Sequence, residues 1–273
     1  MRIVPWLRST VLYQIAPVLV ALVAGSLGAP AFVLAQEMAP PSPPEEVFQT
    51  ELVYPQEQGE VQLTLSPHLS GAASQRTGQV PLTLEYGLTD AWQVELEWGG
   101  YTYGPSHGVG DLEIGSKYSF MNLLGNHTHA AVGLEVELPV DQADEEGAEL
   151  EPFVILARDL PALSGLQVFL HAAMELELGS EEETPDTPEA DEAAWTLNTG
   201  VFLPLKPVTL TAELNWERTG TVDRAYVTPG LVRSLPGGWE IGIGIPVGVT
   251  SNADAFRVVG MLTYEFEFFG DDD

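Results

Sequence analysis

Carboxylates spaced two residues apart are the side chains of this sequence best suited to chemistry. Glu95 and Glu97 form one such pair, and Glu135 and Glu137 form another. Because alternate residues of a β-strand point to the same face, each pair would project to one side of a sheet. A ring of carboxylates attracts cations and repels anions. The predicted members of this face are Glu85, Glu95, Glu97, Glu113, Glu135, Glu137, Glu175, Glu177, Glu213, Glu265 and Glu267, with Lys117, Arg233 and Arg257 as basic partners.

Two other kinds of chemistry have weaker support. His127 and His129 could share a face, but two ligands without a third make a poor metal site. Ser66, Pro67 and His68 place a serine near a histidine, a pattern too common to indicate a hydrolase. We therefore predict no catalytic residue, no metal site and no cofactor.

The composition limits the classes of partner. The chain has 273 residues, with 40 acidic against 10 basic residues, a formal net charge of −30 and no cysteine. This charge excludes a nucleic-acid-binding role, which requires basic patches that neutralise phosphates. The missing cysteine excludes disulfides and thiolate catalysis. Apolar residues nevertheless make up 45% of the chain, which is too many for a disordered acidic protein.

The first 35 residues have the features of a secretory signal peptide. Arg2 and Arg8 form a charged start, residues 11–24 are mostly apolar, and small residues precede a predicted cleavage site after Ala35. We therefore expect an exported protein. Residues 36–58 are predicted to be a proline-rich periplasmic leader, and residues 270–273 an acidic tail.

Residues 59–269 alternate between apolar and polar side chains, as half-exposed strands do. For example, Trp92, Val94 and Leu96 alternate with polar neighbours. We count about twelve strands, most of them about 9–11 residues long, which is the length of a transmembrane β-strand. The prediction is an all-β fold, a transmembrane antiparallel up-and-down β-barrel of about twelve strands.

The lengths of the connections support this prediction. Short turns, such as residues 87–90 and 236–238, alternate with longer or more polar segments, such as residues 99–109, 179–193 and 217–224. Outer-membrane barrels have short periplasmic turns and longer outer loops. The alternation predicts an even number of strands with both termini in the periplasm.

The two faces of the strands are predicted to meet different surroundings. We expect the apolar face to contact lipid and the acidic face to line the lumen, because carboxylates in a dry core would be costly. Tryptophans near strand ends fit an interfacial girdle. They are Trp92, Trp98, Trp195, Trp216 and Trp239. The alternative is a soluble periplasmic β-protein with its carboxylates outside.

Two motifs resemble those of a known family. Residues 87–90 read Gly-Leu-Thr-Asp, and residues 108–118 read Gly-Val-Gly-Asp-Leu-Glu-Ile-Gly-Ser-Lys-Tyr. Together they resemble the paired signature of the outer-membrane family named for the meta-pathway of phenol degradation, and residues 228–231 are similar to another recurring patch. The resemblance extends over residues 47–269. It implies a transporter-type outer-membrane barrel without catalytic residues, and the family name suggests aromatic solutes.

These observations lead to an expected function and a rival. We expect a porin-like channel in a Gram-negative-type outer membrane for small solutes, preferring cations or small aromatic compounds. Its partners would be outer-membrane lipid, the solute and the barrel-insertion machinery. The rival is a non-conducting structural or surface barrel. In that case its acidic outer loops, residues 141–149 and 181–192, would bind divalent ions or partners.

Overall fold

The structure is a computed structural model. It describes residues 47–71, 76–104, 107–140, 147–178 and 193–267. The predicted signal peptide, the first part of the predicted leader, most of the acidic loop residues and the acidic tail lie outside the described residues.

The described residues form a closed barrel of twelve antiparallel strands. The strands are β1 (Glu60–Leu65, continued by His68–Ser70), β2 (Thr77–Gln79, continued by Leu82–Thr89), β3 (Trp92–Trp98), β4 (Leu112–Asn122), β5 (Thr128–Leu138), β6 (Ala148–Leu160), β7 (Leu166–Leu178), β8 (Ala194–Leu205), β9 (Val208–Thr219), β10 (Val222–Leu235), β11 (Trp239–Gly244, continued by Val247–Gly248) and β12 (Arg257–Glu267). Minor elements are a ribbon of Tyr101–Thr102 with Gly108–Val109, a helical turn at Leu123–Asn126 and a 3-10 turn at Pro161–Leu163. Among the described residues, no helix has the length and apolar content needed to span a membrane.

Each strand pairs with the next one along the chain, and the last strand pairs with the first. β12 lies antiparallel to β1, with Glu267 opposite Glu60 and Leu262 opposite Leu65. This pairing leaves no open edge in the sheet, which is what a barrel in lipid requires. The predicted all-β, up-and-down barrel is confirmed.

The two ends of the barrel differ in their connections. At the turn end, short segments join the strands, such as residues 206–207 between β8 and β9. At the loop end, most connections are long, such as residues 179–193 between β7 and β8. The connection predicted at 217–224 as longer or more polar is polar but short. Gly220 and Thr221 alone join β9 to β10, and the φ of 56° at Gly220 permits this tight turn.

A belt of apolar side chains covers the outside of the barrel. Val132, Ile114 and Ile243 are 49%, 48% and 51% exposed, although each lies within a regular strand. In water, so continuous an exposed apolar surface would be unfavourable, whereas it matches the outer band of a membrane barrel. The aromatic residues Trp92, Trp98, Trp195 and Trp239 are exposed near strand ends.

Candidate functional site

The inside of the barrel is the candidate functional site, and its loop-end half is acidic. β3 to β7 carry inward glutamates that lie directly opposite one another, as Glu97 does with Glu113, Glu113 with Glu137, and Glu137 with Glu149. We call this surface the acidic wall. It consists of Glu95, Glu97, Glu113, Glu135, Glu137, Glu149, Glu151, Glu175 and Glu177. Like charges opposite each other are destabilising unless water or cations separate them.

Gly115 lets two of these carboxylate side chains approach each other. A Cβ atom at this position would lie 3.3 Å from the side chains of both Glu95 and Glu135. Nearby, six glutamates surround a cavity of about 50 Å³, which has room for a few water molecules. They are Glu113, Glu135, Glu137, Glu149, Glu151 and Glu175. The sequence prediction omitted Glu151 and placed Glu149 in an acidic outer loop, whereas both lie in β6. Their spacing of two residues was a usable signal.

The turn-end half of the interior is not open. Residues 47–58, which we call the N-terminal segment, lie inside the barrel. Residues 47–58 of the leader predicted at 36–58 therefore pack inside the barrel. The physical reason is the hydrophobic effect. Val47, Phe48, Leu52 and Val53 are between 1% and 9% exposed, because they pack against apolar residues on the inner face of the barrel.

Strand β4 binds one side of the N-terminal segment. Lys117 lies on this strand, is 3% exposed and forms an ion pair of 2.7 Å with Glu51. The Lys117 Nζ atom also donates a hydrogen bond of 2.6 Å to the Leu52 carbonyl oxygen. Ser119 Oγ, two residues further along the strand, donates a bond of 2.7 Å to the Val53 carbonyl. Lys117 therefore binds the segment, rather than standing free as a basic partner of the acidic wall.

The opposite wall binds the other side of the segment. Glu213 is 1% exposed, and its carboxylate accepts a hydrogen bond of 2.9 Å from Thr50 Oγ1. Asn198 Nδ2 donates to the Gln49 carbonyl oxygen at 3.2 Å, and Thr228 Oγ1 donates to Gln49 Oε1 at 3.1 Å. These strands lie across the lumen from β4, so the segment spans the interior.

Phe48 fits into a socket made of glycines. A Cβ atom on Gly230 or Gly244 would lie 2.2 Å or 2.5 Å from atoms of the Phe48 ring. The absence of side chains on these glycines therefore makes room for the ring. On the other side of the segment, Leu52 and Val53 join a cluster that includes Phe153, Ile155, Phe169 and Phe202.

The segment reaches the turn end beside the first sequence motif. A Cβ atom on Gly87 would lie 1.9 Å from the Glu57 carbonyl oxygen, and Asp90 Oδ1 accepts a hydrogen bond of 3.2 Å from the Gln58 amide. Gly59 N donates to the Gly87 carbonyl at 2.9 Å. The glycine and the aspartate of the Gly-Leu-Thr-Asp turn thus position the N-terminal segment.

Tyr54 anchors the segment close to that end. Its hydroxyl accepts a hydrogen bond from Gln167, and its ring lies 5.8 Å from the ring of His129. Burial, followed by the nearby Asp159 carboxylate, raises the pKa of the Tyr54 phenol above its usual value. The phenol therefore stays neutral beside the Asp159 carboxylate.

Together these contacts fill the interior at mid-height. Gln62, Thr64, Thr228 and Thr263 are each 0% or 1% exposed, although all four are polar residues. Gln62 donates to Glu85 Oε2 at 2.5 Å and accepts a hydrogen bond of 2.8 Å from Gln56 of the segment. Solvent is excluded at this level of the barrel.

The remaining predicted residues lie near the two ends of the barrel. Arg257, at the loop end, pairs with Asp254 at 3.0 Å and lies over the Tyr226 ring at 4.4 Å. At the turn end, Glu265 lies opposite Gln62 and Glu267 lies opposite Glu60. A lining role for these residues stays a prediction.

Arg233 does not lie inside the barrel, so its prediction as an inward partner is wrong. It is exposed, whereas its neighbour Val232 is 1% exposed and packs with Phe48. Arg233 therefore occupies the outward position of the alternating pattern.

Two other site types concern residues outside the acidic wall. No cluster of three or more His, Cys, Asp or Glu side chains in the part of the chain that the structure describes could hold a metal ion. Residues 104–108 read Gly-Pro-Ser-His-Gly, which matches the nucleophile motif of hydrolases. The flanking Tyr101–Thr102 and Gly108–Val109 form a two-stranded ribbon, and Pro105 and Ser106 lie outside the described residues.

Comparison with known proteins supports the fold and leaves the family open. No protein-family model matches the sequence, and no curated protein matches it significantly. Several solved structures share the fold. The NanC porin has a TM-score of 0.57 at 10% identity, with 74% of this chain and 98% of the porin covered. The KdgM porin has a TM-score of 0.54 at 11% identity, with 75% and 99% covered. An outer membrane channel from Pseudomonas putida F1 has a TM-score of 0.57 at 10% identity, with 78% and 98% covered. At these identities the likeness establishes a porin-like barrel fold.

Proposed function

We propose that the protein is an outer-membrane channel for small solutes that prefers cations to anions. The acidic wall carries this proposal, because it concentrates carboxylates on one side of the loop-end half of the lumen. Carboxylates that line a pore favour cations. The apolar outer belt and the predicted signal peptide support the outer-membrane location.

The charge also limits the class of solute. One similar solved structure is the KdgM porin in complex with disordered oligogalacturonate, an anionic oligosaccharide. The acidic wall would repel such an anion, so the solute proposed here is cationic or neutral. The motif resemblance to the phenol meta-pathway family supports small aromatic compounds as the neutral alternative.

The filled interior favours a second candidate function. A barrel closed by its own N-terminal segment could be a non-conducting surface protein whose acidic outer loops bind divalent ions or partners. The two candidates differ in whether current can flow once the segment no longer fills the lumen.

The test is the reversal potential in planar bilayers under a KCl gradient. It is recorded on the full chain and on a variant in which a Gly-Ser repeat of equal length replaces residues 47–56. We expect a reversal potential whose sign shows that K⁺ permeates more readily than Cl⁻. This potential should move towards zero when Glu113, Glu135 and Glu137 are all changed to Gln. An anion-selective current would overturn the cation preference. Absence of current from the folded, inserted replacement variant would favour the non-conducting barrel.

A further inference from the structure

We infer that the N-terminal segment is a removable, autoinhibitory plug that closes the channel. This inference rests on the channel function proposed above. It assigns residues 47–58 a role of their own, and it identifies the side chains that fasten them in the lumen.

The barrel is complete without the segment, so the segment is able to leave. All twelve strands in the described part of the chain pair with both neighbours, including β12 with β1. Residues 47–58 form no strand and no ladder pairing. Most of their hydrogen bonds to the wall involve side chains, so withdrawing the segment would not break the sheet.

The wall carries donors for the main chain of the segment. Three inward donors, Lys117, Ser119 and Asn198, each bind a different main-chain carbonyl of the segment. A lumen that served only for passage would not need donors matched to three carbonyl groups. These contacts recognise the backbone, and the Phe48 socket adds recognition of one side chain.

Lys117 supplies the ionic contact between the wall and the plug. Its Nζ atom lies 2.7 Å from the Glu51 carboxylate and 2.6 Å from the Leu52 carbonyl oxygen, and the lysine is 3% exposed. A buried ammonium needs a counter-charge and hydrogen-bond acceptors, and the segment supplies both. Plug closure is therefore expected to depend on the Lys117 charge.

The Phe48 socket offers a way to lock the plug covalently. An ideal Cβ atom on Gly244 would lie 3.1 Å from the Phe48 Cβ atom. Disulfides join Cβ atoms about 3.5–4.5 Å apart, so a shift of a few tenths of an ångström would suffice. The chain has no cysteine of its own, so no native thiol competes with an introduced pair.

The experiment uses the full chain with Phe48→Cys and Gly244→Cys, recorded in planar bilayers. Oxidation is expected to abolish the current, and a thiol reductant is expected to restore it in the same bilayer. Thiol labelling before and after oxidation reports bond formation. Each single cysteine variant serves as a matched control, and its current should not respond to the reductant.

The outcomes separate the plug from the channel. If current flows equally with the disulfide formed and reduced, the plug inference is overturned and the channel remains. If no disulfide forms under oxidation, Phe48 does not occupy the socket and the plug inference is again overturned. If the disulfide forms, but neither the reduced pair nor the Gly-Ser replacement variant conducts, the channel function fails and the closing role fails with it.

Discussion

Lys117 and Glu51 form an ion pair of 2.7 Å inside the barrel, at the level where the acidic wall gives way to the N-terminal segment. The lysine is 3% exposed and also binds the Leu52 carbonyl oxygen. One cation therefore binds both the main chain and the side chain of the segment. This double contact explains why a buried lysine is favourable here, since a buried charge needs both a counter-charge and hydrogen bonds.

We predict that Lys117→Met releases the segment while the barrel stays folded. Breaking a buried pair by removing one partner costs about 3–5 kcal/mol if the other charge stays buried. Glu51 can avoid that cost by leaving the lumen. Cleavage after Glu51 by a glutamate-specific protease, followed by mass spectrometry, should therefore increase.

The exposed Lys206, in the turn between β8 and β9, provides the matched control for charge removal. Lys206→Met should leave cleavage after Glu51 unchanged. Equal protection of Glu51 in the Lys117→Met and wild-type proteins would contradict a fastening role for Lys117.

We predict that Glu213→Ala loosens the segment at its opposite contact. The variant removes the acceptor of Thr50 Oγ1, so this buried hydroxyl keeps only the bond that it accepts from Asn215 Nδ2, a loss of about 1–3 kcal/mol. Hydrogen exchange of residues 47–58 should become faster, while exchange in β4 and β9 stays slow. Glu217→Ala on the same strand is the control, because Glu217 pairs with Arg224 in a half-exposed bridge that contributes little.

The fold was predictable from sequence because its signal is local. Alternation such as that of Trp92, Val94 and Leu96 depends only on the two-residue period of a strand, and lipid outside the barrel preserves that pattern. The acidic wall was predictable for the same reason. Its Glu113, Glu135 and Glu137 share one face in any register that keeps the apolar face outward.

The filled lumen was not predictable in this way, because the contacts that fill it are distant in sequence. Thr50 and Glu213 are 163 positions apart, and nothing local to either residue indicates the other. The inward Phe153 and Phe169 also resemble lipid-facing residues in sequence. Only the segment packed against their cluster explains why they lie inside.

We predict that Gly133→Ala destabilises the barrel by overpacking. A Cβ atom on Gly133 would lie 2.0 Å from Phe153 Cζ, and overpacking of this kind costs about 1–3 kcal/mol. Denaturant titration in detergent, with the folded fraction read from the heat-modifiable gel band, would measure the loss of stability. Adding Phe153→Leu should recover part of that stability. Gly108→Ala is the control, because a Cβ atom there meets nothing within 4 Å.

A final prediction tests which face of the strands contacts lipid. Val132 lies near the middle of β5, is 49% exposed and is flanked across the sheet by Tyr118 and Val154. If this face contacts hydrocarbon, Val132→Arg should lower the free energy of unfolding in lipid vesicles by about 2–4 kcal/mol. Denaturant titration measures this change. The matched inward substitution, Glu135→Arg, should assemble, because its side chain would meet carboxylates and water. Equal stability of Val132→Arg and wild type would place the belt outside the bilayer and would favour the soluble alternative.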